Sequence, residues 1–241
     1  MDIFLPVVYA VLTKRQLFPY FSTRVRVSYL RTEASLITHS INISGEKLGL
    51  YEQGEEKFGA FASRFYGLVR LIPTMRRFYR FVVQTLNEQG FSSVLDIGCG
   101  PGIVLLKITT LHKGEFYGID PSPQMVSIAT GKADKLGLSD KVKFEVGSSR
   151  SIPGSTNFDI IYSSLSFHHW KDRERSLKDI LERLNHNGKI MIFEVEDDGS
   201  FNRRFVRSHL MSKDDFISIG TNIDRTPDII EREGYICAIF K

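Results

Sequence analysis

The sequence predicts an α/β fold: a doubly wound, mostly parallel sheet of six or seven strands with an N-terminal helical extension. Three observations predict it. An apolar run breaks into spaced glycines and then resumes as a helix in Val94-Leu-Asp-Ile-Gly-Cys-Gly-Pro-Gly102-Ile-Val-Leu-Leu. Further short apolar runs at 115–120, 141–146, 157–162 and 189–194 alternate with stretches of helical period. The composition, 42% hydrophobic and 25% charged over 241 residues, is that of a globular chain with room for one large α/β domain. Strand, glycine turn and helix in that order open a Rossmann-like sheet, whose ligand lies outside the carboxyl ends of the strands. Glycine suits such a turn because it lacks Cβ, accepts positive φ and lets backbone lie against a bound molecule.

Taken in order, residues 1–50 form the extension. Asp2 stands where an export signal needs basic residues and Pro6 splits the opening apolar run, so a leader is not expected. Residues 13–43 mix aromatic, basic and β-branched types without a period, which leaves helix, strand and arm open. Charge is uneven, with 12 Lys/Arg against 6 Asp/Glu in residues 1–80 and 20 against 22 thereafter. That asymmetry suits an anionic partner or a solvated helix surface. No apolar run approaches the roughly 18 residues needed to span a bilayer. Cys99 and Cys237 are too few for a disulfide framework or a cysteine-rich zinc site, and fit a reducing cytoplasm.

The second domain, 51–241, begins with helices. Phe58, Phe61, Ala62, Phe65 and Tyr66, then Leu71, Phe78, Phe81, Val82 and Leu86, recur at threes and fours. Pro73 divides two helices, and Gly90 is expected to end the second in a left-handed stop. These aromatics are core residues, or, for Phe58, Phe65 and Tyr66, a lid over the ligand. After the glycine turn a helix runs to about Leu111, and the next strand ends at Asp120, 18 residues beyond Gly102. An acid there can accept hydrogen bonds from both hydroxyls of a ribose, in dinucleotide and other nucleoside sites alike. The turn discriminates: its spacing is G-x-G-x-G rather than G-x-G-x-x-G, and Asp96 ahead of it disfavours a pyrophosphate.

These residues resemble the class I S-adenosylmethionine-dependent methyltransferases, in their small-molecule, type 11-like group. The first motif reads as Val94 to Gly102 and the second as Gly118-Ile-Asp-Pro-Ser-Pro-Gln-Met125. The resemblance implies S-adenosylmethionine as cofactor, with Gly98, Cys99, Gly100 and Gly102 around its methionine portion and Asp96 near its amino group. It places Asp120 on the ribose, with Pro121 and Met125 bordering the adenine. The family usually has an Asp where Ser148 stands in Gly147-Ser-Ser-Arg-Ser-Ile-Pro153. A neutral hydrogen bond is worth about 0.5–1.5 kcal/mol against about 1.5–3 for one to a charged group. Weaker adenine recognition is therefore expected, or a compensating contact from Ser149 or Arg150. Ser163, where the fourth strand ends, completes the expected cofactor set.

Ser122 as N-cap with Pro123 behind it opens the next helix, and Gly137 closes it. Ser163-Ser-Leu-Ser-Phe-His-His-Trp170 follows the fourth strand at the edge where acceptor chemistry belongs. No Asn/Asp-Pro-Pro-aromatic motif occurs there, so methylation of DNA bases is disfavoured, and no clustered acids follow to hold magnesium. No metal is expected. His168 and His169 are candidate bases for a hydroxyl or acidic C–H acceptor, or are structural, one capping the following helix. Residues 172–184 form an amphipathic helix, 185–188 its turn, and the acids 194, 196, 197 and 198 a solvated edge. A helix spans 200–219, with Arg203, Arg204 and Arg207 on a solvated face or against an anionic substrate. Thr226-Pro-Asp opens another helix ending at Gly234, and 235–240 is the last strand. A seventh strand would have to come from residues 1–45.

The expected function is metal-independent methyl transfer to a small-molecule acceptor in the cytoplasm. An RNA or protein methyltransferase and an inactive cofactor-binding protein are the alternatives. Monomer and homodimer are both compatible with the sequence.

Overall fold

The computed structural model describes residues 73–197 and 210–241. The expectations for 1–50 and for Phe58, Phe65, Tyr66, Arg203, Arg204 and Arg207 lie outside them. In chain order the elements are α1 (Pro73–Asn87), β1 (Ser93–Ile97), α2 (Ile103–Leu111), β2 (Glu115–Asp120), α3 (Pro123–Lys135), β3 (Val142–Val146) and β4 (Phe158–Ser164). A 3-10 turn (Phe167–His169), α4 (Arg173–Leu181), β5 (Leu184–Val195), α5 (Lys213–Asn222), β6 (Asp228–Arg232) and β7 (Tyr235–Phe240) follow. The strands form one sheet in the order β3-β2-β1-β4-β5-β7-β6. The first five run parallel, and β7 is inserted antiparallel between β5 and β6. Strand order reverses between β1 and β4, so their carboxyl ends open the crevice where doubly wound sheets bind ligands.

Alternation along the strands divides the core into two layers. Val94, Tyr162, Met191, Phe193 and Tyr235 face one way, packed under Phe78, Phe81, Val82 and Leu86 of α1 and Val104, Leu105 and Ile108 of α2. Leu95, Ile97, Ile161, Ile190, Ile192 and Phe240 face the other, under Leu177 and Ile180 of α4 and Phe216 of α5. Aromatic edges lock α1 to the sheet, with Phe81 5.8 Å from Phe193 and Phe78 5.4 Å from Tyr235, both T-shaped. Helix boundaries follow the caps: Ser122 accepts from the Met125 amide with Pro123 at N1, and Ser212 forms a capping box with Asp215.

Several expectations are corrected. The helix expected over 226–234 is β6, and it supplies the seventh strand. Glu233 and Gly234 have φ of 53° and 79°, two consecutive left-handed residues of the kind that close a two-residue hairpin. Thr226-Pro227 mimics a helix start, but the Pro227 ring packs at Gly220, where a Cβ would stand 2.7 Å from Pro227 Cδ. Residues 185–188 bulge out of β5 rather than ending before it. Leu184 and Lys189 pair with Phe158 and Ile160, so β5 carries three extra residues there. The α4 N-cap is Asp172, whose carboxylate accepts from the Arg175 amide, and not a histidine. Gly90 is not among the left-handed residues, and in the expected 200–219 helix the described part starts only at Lys213.

Candidate active site

The glycine turn leans over the end of β2: the Gly98 and Cys99 amides both donate to the Ile119 carbonyl, at 2.8 and 3.0 Å. Gly98, Gly100 and Gly102 all have positive φ, of 76°, 51° and 72°, which strains any other residue. Their surroundings differ. A Cβ on Gly98 would lie 2.3 Å from Ser166 Oγ, and one on Gly102 would lie 2.9 Å from the Phe144 ring. Around a Cβ added at Gly100, none of the described residues comes within 4 Å, chain neighbours aside. Two glycines therefore admit neighbouring side chains, and Gly100 has open space beside it among the described residues.

Asp96 shares the Val94 face of β1, pairs in register with Tyr162 of β4, and is 1% exposed. Tyr162 donates to its Oδ2 at 2.8 Å, whereas Oδ1 is buried without a hydrogen-bond partner among the described residues. Burial pushes the carboxyl up to about 8, the Tyr162 hydroxyl partly offsets this, and the Asp120 charge adds to it. Asp120 accepts from the Gly100 amide at 2.8 Å and from the Ser122 amide at 2.9 Å, one on each oxygen. It thus staples the turn to the tip of β2, and a carboxylate oxygen has a second lone pair to offer. Burial raises it to about 6 against the pull of the two amides. The Cys99 thiol is pushed up by burial and by both carboxylates, and makes only a 3.6 Å contact to the Gly100 carbonyl. It is a small buried side chain and not a nucleophile.

On the β4 side, Ser166 Oγ donates to the Ile97 carbonyl at 3.0 Å and lies 2.6 Å from Ser163 Oγ. Those bonds fix the chain beside Gly98. Two residues on, His168 places Nδ1 2.8 Å from Glu194 Oε2, and its amide donates to Oε1 at 3.2 Å. The Glu194 side chain is fully buried and that of His168 is 7% exposed. Glu194 is therefore not part of a solvated acidic edge; it continues the inward row of Ile190 and Ile192. Arg173 braces the turn by donating to the Phe167 and His168 carbonyls, at 3.3 and 2.7 Å. The His169 ring lies 4.0 Å from that of His168.

Residues 94–188 match the family described as "Methyltransferase domain". An ajmaline N-methyltransferase from Rauvolfia serpentina is 32% identical over 52% of this chain and 43% of its own. The ubiquinone/menaquinone biosynthesis C-methyltransferase UbiE of Geobacter sp. (strain M21) is 32% identical over 60% of this chain and 65% of its own. This chain thus spans less than two thirds of either relative. Residues 94–188 thus carry a methyltransferase domain. In fold, the domain is similar to a putative S-adenosyl-L-methionine-dependent methyltransferase from Methanococcus maripaludis, with a TM-score of 0.64 and 19% identity over 79% of this chain and 96% of that one.

The methyltransferase domain brings Asp96, Gly98, Cys99, Gly100, Gly102 and Asp120 together at the switch point. Their chemistry fits the family's cofactor. A buried carboxylate oxygen without a partner among the described residues suits an ammonium, a carboxylate with lone pairs to spare suits ribose hydroxyls, and Gly100 leaves room for backbone approach. Pro121 is half-buried at the same tip, and Met125 is 2% exposed within the first turn of α3. Three further expected residues carry hydrogen bonds within the chain. Ser163 is fully buried on Ser166, Ser148 Oγ accepts from the Arg150 amide of its own loop, and Ser149 Oγ accepts from Ser176 of α4. Tyr162 and Glu194 are the site residues that sequence reasoning missed. The available signal was strand parity, since both are polar groups on rows otherwise filled by buried apolar residues.

Proposed function

We propose that this protein transfers a methyl group from S-adenosylmethionine to a small-molecule acceptor without a metal. The observation that carries the reading is the pair of acids flanking the open Gly100, one of them with a buried oxygen that lacks a partner among the described residues. Asp96 holds the cofactor's amino group, the turn backbone at Gly100 lies along its methionine portion, and Asp120 holds the ribose. When bound, S-adenosylmethionine supplies an activated methyl group on a sulfonium. The chain's own contribution is orientation: holding two reactants in line is worth roughly 7–11 kcal/mol without any acid or base. The named relatives methylate nitrogen and carbon, which supports a small-molecule acceptor and leaves the acceptor atom open. The two cysteines, both free and buried, suit a reducing cytoplasm. Among the described residues no helix is long and apolar enough to cross a membrane.

Thermal shift with S-adenosylmethionine, its demethylated product and NAD tests the reading. A ligand at 100 times its Kd stabilises by about 2.7 kcal/mol. Shifts are expected with the first two and not with NAD; absence of both sinks the assignment. RNA binding that weakens steeply with salt would favour the RNA acceptor suggested by the basic residues 1–80.

A further inference from the structure

On β4, Ile160 and Tyr162 face the layer under α1 and α2, and Tyr162 is fully buried with its ring 6.3 Å from that of Phe193 in a T-shaped contact. Phenylalanine would fill the same space, so packing alone does not account for a hydroxyl here. A buried hydroxyl needs a partner, and this one donates to Asp96 Oδ2 at 2.8 Å. The β1/β4 register sets Asp96 opposite Tyr162 and leaves Oδ1 buried without a hydrogen-bond partner among the described residues. The carboxylate is thus held by one oxygen only, two residues ahead of Gly98. The other groups around Asp96 do not help its charge. Asp120 at the tip of β2 disfavours it, and the Cys99 thiol, pushed up by burial and then by Asp96, stays neutral. The helices over that face, α1 and α2, keep Arg76, Arg77, Arg80 and Lys107 exposed, and the other tyrosine of the layer, Tyr235, packs on Phe78. Among these groups the Tyr162 hydroxyl favours the charged form. Burial and the Asp96 charge push that hydroxyl well above its ordinary value, so it remains a donor wherever Asp96 ionises.

We infer that Tyr162 is a positioning residue: by holding Oδ2 it makes Asp96 a one-sided acceptor whose Oδ1 selects a methyl donor with a charged amino group. This rests on the reading of Asp96 as the group that holds the donor's amino end. The pair sorts nucleosides by their tails. S-adenosylhomocysteine, the demethylated donor, brings an ammonium to Oδ1, whereas 5′-methylthioadenosine has the same adenosine and sulfur and no amino group. An ammonium draws the carboxylate form, so a proton leaves Asp96 for solvent on binding, and the Tyr162 hydroxyl eases that step. Without the hydroxyl the carboxylate forms only at higher pH, and tight binding moves with it.

Calorimetric titration of the full chain with both ligands at pH 6.5 and pH 9 tests this. Tyr162→Phe keeps the ring, and a cooperative urea transition at pH 5, where Asp96 is neutral, shows that the variant folds. At pH 6.5 it should bind S-adenosylhomocysteine about 10- to 100-fold more weakly than wild type, the worth of a hydrogen bond to a charged group. The gap should narrow toward pH 9, and 5′-methylthioadenosine should stay within about twofold of wild type at both. In Asp96→Asn, adding Tyr162→Phe should cause a much smaller loss than it does in the wild type, as expected of a residue that acts through Asp96. A gap equal at both pH values, or an equal loss for 5′-methylthioadenosine, makes Tyr162 a packing residue and overturns the inference. A preference for S-adenosylhomocysteine over 5′-methylthioadenosine that survives in Asp96→Asn defeats the amino-group reading and the inference together. One that is lost in Asp96→Asn but kept in Tyr162→Phe defeats the inference alone.

Discussion

Asp96 is a buried acid whose surroundings favour its neutral form over the carboxylate. Its carboxyl is raised to about 8, first by burial, against an ordinary value of 3.8. For a raised acid the folded state disfavours ionisation. The cost is absent below the unfolded pKa, grows as pH rises through the interval, and is complete above about 8. Asp96→Asn removes it. Going from pH 5 to pH 8, urea denaturation of the ligand-free variant should therefore gain on wild type by on the order of a few kcal/mol. The same variant should bind S-adenosylmethionine about 10- to 100-fold more weakly, the worth of a hydrogen bond to a charged group. Identical pH slopes for the two proteins would mean that Asp96 ionises freely in the fold. The presence of an acid before the glycine turn is plain in the sequence. That one of its oxygens goes to Tyr162, 66 positions away, is set by β1/β4 register and is not.

At the scale of elements, the glycine turn is held as much by packing as by any ligand. Phe144 of β3 reaches under Gly102 and Gly118, where added Cβ atoms would lie 2.9 and 2.6 Å from its ring. Gly102→Ala should combine backbone strain at φ 72° with that overlap and destabilise by roughly 2–4 kcal/mol, read as a lower urea midpoint. Phe144→Leu in the same chain should recover the steric part but not the strain. No recovery at all would place the whole cost in the backbone. Spacing alone shows the three glycines as equivalent, and only tertiary neighbours separate Gly100 from the other two. Period and caps make β1 to α3 legible in the same way, because local rules and global fold agree there. They fail at 226–234, where Thr-Pro imitates a helix start and the pairing of Ile229 with Ala238 decides for a strand. Long-range pairing overrides local propensity in such segments.

Across the whole molecule the two ends of the sheet respond oppositely to pH. At the amino ends, burial nudges Asp159 upward, but the Asn185 side chain and the Ser92 and Ser93 amides outweigh it, so its pKa is lowered. That contribution is present above the unfolded pKa and lost as pH falls through the folded one. At the carboxyl ends Asp96 and Asp120 are raised, to about 8 and about 6, so their folded state loses stability as pH climbs. The ligand-free protein should consequently be most stable on the acid side of neutrality and weaken toward pH 8. A cationic amino group beside Asp96 reverses the alkaline limb, because the bound complex holds fewer protons than its parts. At pH 6.5 the amino group, with a pKa of about 7.7–8.0, is already charged, while the free Asp96 carboxyl is mostly protonated. Binding of S-adenosylhomocysteine should then release up to about one proton and tighten with rising pH. Calorimetry in two buffers of different ionisation enthalpy measures this, and Asp96→Asn should abolish the release. Proton uptake, or release that survives in the variant, would remove Asp96 from the amino-group site. Acids at strand ends are visible in the chain as written; which end buries them and which leaves them solvated follows only from the parallel order of the sheet.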